Sequence, residues 1–239
     1  MQENGSLDSA LNQEYDFTIK EILSEAWELT NGAKLILNVS FILYILVAVV
    51  LSTLLSYIFD PKIYYDSHEF LKGFLSEQAQ SLLSLPILMP IISGIVMMAI
   101  KRAAHKKIEV LSIFNYYVLV WPLVFASLFV NAVVIIGFLL LIIPGIYLSI
   151  TFAFVIPLII DKQLDILDAM KTSFKVVRKR WFKFFGVYLI LIFLSILSLL
   201  TFGIGFIWVL PLSFMTNGVL YRRLFGYSNL ENIEDESTE

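Results

Sequence analysis

Cysteine is absent from the 239 residues, histidine occurs twice, and only 15% of the chain is charged. Without thiols there is no disulfide, no thiolate metal site and no cysteine nucleophile. Two histidines leave little for acid–base chemistry. An ordinary soluble domain is about 25% charged and roughly 45–50% apolar. The 59% hydrophobic content here excludes that class. A formal charge of −3, from 17 Lys and Arg against 20 Asp and Glu, gives no basic excess for nucleic acid. The first 33 residues carry a single base, Lys20, among seven acids, the reverse of the basic start of a secretory signal.

What is present is long apolar runs. A hydrocarbon core of about 30 Å takes around 20 helical residues, and unpaired backbone in it is too costly for open loops. Uncharged runs of that length predict an all-α, polytopic membrane protein with six transmembrane helices, at about 35–58, 81–100, 122–142, 146–160, 184–202 and 204–221. Leu111 to Ile160 is uncharged throughout, long enough for two spans, and Pro144-Gly145 predicts the hairpin turn between them. Trp121-Pro122 separates an aromatic surface segment (Phe114, Tyr116, Tyr117) from the third span, and Gly203-Ile-Gly205 breaks the last two apart. The strings at 141–146 (LIIPGI) and 199–204 (LLTFGI) suggest a pseudo-repeat of three hairpins.

Residues 16–226 read as one membrane domain, flanked by a disordered polar stretch at 1–15 and an acidic disordered tail at 227–239. Thr18 and Glu21 have capping-box spacing, and Ile22, Leu23, Ala26, Trp27 and Leu29 form one apolar face, predicting a short helix lying in the membrane surface. Positive residues stay on the cytoplasmic side. With the amino terminus inside, Lys62 and Lys72 are the bases outside, while Lys20, Lys34, Lys101, Arg102, Lys106, Lys107, the 162–183 cluster, Arg222 and Arg223 fall inside. Both termini are therefore expected in the cytoplasm.

Candidate chemistry is sparse. No ionisable side chain falls within the six expected spans, which disfavours proton-coupled transport. Asp161 sits at the edge of the fourth, where headgroup water should hydrate it. Asp66-Ser-His68-Glu69 is too compact in sequence to converge on a metal and reads as a helix cap, so no metal or other cofactor is expected. The richest segment is 161–183. Asp165 can cap a helix with Asp168 in its first turn, and Ile166, Leu167, Met170, Phe174 and Val177 share a face. Lys171, Lys175, Arg178, Lys179, Arg180 and Lys183 then follow without an acid. Such a helix would sink its apolar face among acyl chains and set its bases against anionic headgroups, at roughly 1 kcal/mol per base. The same bases also serve topology alone. Pro86, Pro90, Pro157 and Pro211 free backbone carbonyls, and Asn131 and Asn217 mark a candidate polar path, although membrane prolines and amides serve packing as often.

The turn Pro144-Gly145-Ile146-Tyr147, an acid near Asp161 and the run Asp165 to Phe174 lead through bases to an aromatic-rich span, after an entry Phe17 to Trp27. This pattern resembles the uncharacterised six-helix bacterial inner-membrane proteins similar to the membrane domain fused to some glycerophosphodiester phosphodiesterases. The resemblance covers roughly residues 17–226, contains no catalytic motif, and implies a multi-pass inner-membrane protein. The expected function is non-enzymatic: an accessory or membrane-organising role through anionic lipids or another membrane protein. The alternative is a transporter or channel for a small or amphiphilic solute.

Overall fold

The structure, a computed structural model, describes residues 5–12, 15–58 and 69–228. Among these the regular structure is helical: α1 (Leu7–Leu11), α2 (Ile19–Thr30), α3 (Lys34–Ile58), α4 (Glu69–Ala103), a 3-10 segment (Val110–Leu119), α5 (Val120–Leu140), α6 (Ile142–Thr151), α7 (Val155–Lys162), α8 (Ile166–Lys179), α9 (Trp181–Leu200) and α10 (Phe206–Phe225). Five stretches are long and apolar enough to cross a membrane: Lys34–Ile58, Ser76–Ala103, Val110–Leu140, Ile142–Lys162 and Trp181–Leu200. Side chains such as Leu46, Val50, Leu54, Phe129, Ile135, Ile192 and Phe193 stand exposed on α3, α5 and α9. In water so large an apolar surface would aggregate; in hydrocarbon it costs nothing. The chain has the make-up of an integral, multi-pass membrane protein.

The expected sixth span forms α10, which is not among the five. Pro211, Asn217, Arg222 and Arg223 lower its apolar character. Neighbouring helices enclose it instead: α10 packs on α4, α2, α9 and α3, and Leu212, Met215, Val219, Leu220, Leu224 and Phe225 are buried. At Gly218 α4 comes close enough that a Cβ there would lie 2.5 Å from the Ala99 carbonyl oxygen. The α9–α10 turn follows the expected Gly203-Gly205 break, with Gly203 at φ +85° and Phe202 exposed beside it.

Residues 7–11, expected to be disordered, form α1 with a capping box at Ser6 and a buried Ala10. Residues 1–4, 13–14 and 229–239 lie outside the described residues, as do Asp66 and His68. The reversal between α5 and α6 is made at Leu141, in extended conformation, and Pro144-Gly145 sits in the first turn of α6. Proline is tolerated there because a first-turn N–H has no helical partner to lose. The fourth span is broken at residues 152–154 into α6 and α7.

The Thr18–Glu21 capping box of α2 forms as expected. Much of its apolar face is occupied by protein, however: Ile22, Ala26 and Leu29 are buried, and α2 packs along α10. It runs antiparallel to α10, with Glu25 beside Arg222 and Arg223, and Lys34, just beyond its end, 4.0 Å above the ring of Trp208. The start of α3 therefore meets the start of α10, whereas a simple six-span arrangement would put them on opposite faces.

Candidate functional site

Where α10 ends, two groups of charges close over it. Arg222, 1% exposed, pairs with the Glu25 carboxylate and donates to the Ala103 carbonyl at 3.0 Å. Arg223 donates to the other Glu25 oxygen at 2.6 Å and approaches Glu21 at 3.5 Å. One carboxylate thus holds two guanidiniums, the planar forks suited to it. The amide of Gly5 donates to the Arg222 carbonyl at 3.2 Å, bringing the amino-terminal segment onto the same helix end. Periodicity and charge patterning place these arginines only on a side of the membrane, because the Glu25 partner of Arg222 lies 197 positions earlier in the chain.

The second group surrounds Asp161. It is not hydrated as expected but 2% exposed, because α8 packs on α7 and Tyr221 of α10 reaches over its end. The Tyr221 hydroxyl donates to it at 2.8 Å, the Ser228 amide at 3.0 Å, and Lys162 pairs with it at 3.1 Å. A buried carboxylate is stable only with such partners. Its role is to tie α7, α10 and the chain after α10 together.

The expected bases of α8 and the start of α9 separate into two sets. Lys171, Lys175, Arg178 and Lys179 are exposed, with Lys171 3.2 Å from Asp168. Arg180 and Lys183 turn inward to Asp16, Arg180 at 3.6 Å, and Lys183 also donates to the Phe17 carbonyl at 2.7 Å. Those hydrogen bonds, from Lys183 first and the Phe17 amide second, hold the Asp16 carboxyl below its usual range. The Tyr15 hydroxyl donates to the Val176 carbonyl, and burial pushes it up to about 12. Arg180 and Lys183 are thus amino-terminal anchors before they are lipid contacts.

The apolar side of α8 includes Met170 and Val177 as expected but extends to Ala169 and Val176 and leaves Leu167 out. Ala169, Met170, Ser173, Val176 and Val177 are buried against protein, and Leu167 is exposed. Asp165 holds the N-cap position without a side-chain capping bond. The Ser173 hydroxyl donates to the Thr151 carbonyl at 2.6 Å, satisfying an acceptor where α6 ends. One face of this helix is therefore filled by protein.

The two amides of the expected polar path are not brought to one cavity. Asn131 is exposed and donates to Ser127 of its own helix at 2.8 Å. Asn217 accepts from the Tyr188 hydroxyl at 2.7 Å, donates to the Ser213 carbonyl at 3.0 Å, and borders a cavity of about 480 Å³ whose lining omits Asn131. Among the described residues no group of three or more His, Asp or Glu side chains is placed to hold a metal ion. Comparison with protein-family models, with curated proteins and with solved structures finds no match to this chain.

Proposed function

We propose that this chain is a six-span protein of the bacterial inner membrane, with both termini cytoplasmic, that acts without catalysis as an accessory or membrane-organising factor. Its working surface is the outer face of α8, where Lys171, Lys175, Arg178 and Lys179 meet anionic headgroups. The observation that carries this is the division of α8: its apolar side is filled by the protein while these four bases stand exposed. A cationic row fixed to a rigid bundle recruits anionic lipid, or a membrane partner bearing acidic groups, without inserting. The enclosure of α10 by α2, α4 and α9 supports a sixth, protein-shielded crossing. The contact of Lys34 with Trp208 counts against it.

The test is lipid retention. The protein is extracted into native lipid discs and its bound lipids are measured by intact mass spectrometry, for the parent chain and for Lys175→Glu/Arg178→Glu. At roughly 1 kcal/mol per base near the surface, the double reversal should strip most anionic lipid while leaving neutral lipid. Unchanged retention of anionic lipid refutes the reading. A path for an amphiphilic solute is the second reading, favoured by the cavity beside Asn217.

A further inference from the structure

The cavity of about 480 Å³ beside Asn217 lies between α6 and α9, and its volume falls within the usual roughly 300–1,000 Å³ of small-molecule sites. Its rim carries Phe138 and Leu189, both exposed side chains of apolar helices, so access runs through the apolar belt. Its interior is not uniformly apolar. The Tyr188 hydroxyl, held by Asn217 at 2.7 Å, keeps acceptor capacity. Asn217 directs one of its two N–H groups to Ser213 and keeps the other. Ser149 donates to the Gly145 carbonyl at 2.8 Å and keeps its oxygen as an acceptor.

The wall at this place is broken helix. Ala153 lines the cavity within the interruption at 152–154, and Pro157, four residues on, has no N–H to give its carbonyl. Irregular backbone at membrane depth persists only where it is buried in protein or lines a cavity. A Ser, a Tyr and an amide thus stand among the otherwise apolar side chains of this cleft. The lining contains no charged side chain.

We propose that this cleft binds a neutral, hydroxyl-headed single-chain amphiphile that enters sideways from the membrane. A hydroxyl both donates and accepts, matching the mixed set of acceptors and one spare N–H. A carboxylate or ammonium would be desolvated with no counter-charge. The proposal deepens the second reading above and rests on α5 and α9 facing lipid.

The test is photolabelling of the protein in lipid discs by a long-chain fatty alcohol bearing a mid-chain diazirine, beside the fatty acid and alkylamine of the same chain. The expected result is alcohol labelling of residues 146–153 and 185–192 about fivefold above the other two probes, the effect of one hydrogen bond. Tyr188→Phe/Asn217→Val should erase the headgroup preference. Ala153→Phe should remove the labelling by filling the cleft; if that variant does not fold, Leu189→Trp at the exposed rim should block it. Labelling of the belt with no preference for the cleft overturns the site. Absence of labelling on α5 and α9 by any probe overturns the membrane placement instead.

Discussion

The amide of Asn38 on α3 donates at 3.0 Å to the carbonyl of Ile207 on α10. That carbonyl lies four residues before Pro211, which has no N–H to offer it. One helix thus completes the hydrogen bonding of another, joining the first span to the last helix. Asn38→Ala should destabilise the protein by about 1 kcal/mol in detergent unfolding, in the range of interhelical hydrogen bonds. In Pro211→Ala the helix supplies its own donor, so the same Asn38→Ala change should cost much less. Equal costs in both backgrounds would show that Asn38 does not stand in for the donor that Pro211 lacks.

Glu25 is buried between two arginines of unequal exposure. Arg222 is enclosed, whereas the Arg223 side chain is 27% exposed and can turn to water. Removing one partner of a buried pair costs about 3–5 kcal/mol, while an exposed pair is worth roughly 1 or less. Glu25→Gln should therefore release α2 from α10, seen as rapid tryptic cleavage at Lys20, and Arg223→Ala should not. Similar cleavage of both variants would contradict the assignment of Arg222 as the enclosed partner.

The amino-terminal dock should respond to pH at both extremes. The depressed Asp16 value adds stability above the ordinary carboxylate range, lost as pH falls through the folded-state value. The raised Tyr15 value, about 12 against the ordinary 10.0, gives stability that is present below pH 10 and lost as pH rises toward 12. Exchange of the amides from Phe17 to Ile22, corrected for intrinsic rates, should accelerate in acid and again in alkali. Asp16→Asn should abolish the acid step and Tyr15→Phe the alkaline one. A flat profile in the parent chain would contradict the dock.

Local features were legible in the sequence because local physics fixes them. The Thr18–Glu21 capping box, the Gly203 break and the apolar helices follow from spacing and composition over a few turns. What was not legible depends on distant segments. Asp161 looked like a hydrated helix end until Tyr221 and Ser228 covered it. Arg222 looked like a topological charge until Glu25 reached it. The apolar stripes of α2 and α8 were correctly seen as stripes, yet periodicity does not distinguish a stripe facing lipid from one facing α10 or α7. On α8 the exposure of Leu167 and the burial of Ser173, whose hydroxyl donates to the Thr151 carbonyl, depend on segments that only the fold brings together.

The central claim is that the basic row of α8 and the exposed turn at Phe202 lie on opposite sides of a membrane. Because the chain has no cysteine, Phe202→Cys and Lys175→Cys each carry one thiol on a clean background. An impermeant thiol reagent added to intact cells should label Phe202→Cys and leave Lys175→Cys unlabelled until the membrane is permeabilised. Labelling of Lys175→Cys in intact cells, or protection of Phe202→Cys that permeabilisation relieves, would contradict the crossing by α9 with its basic face in the cytoplasm.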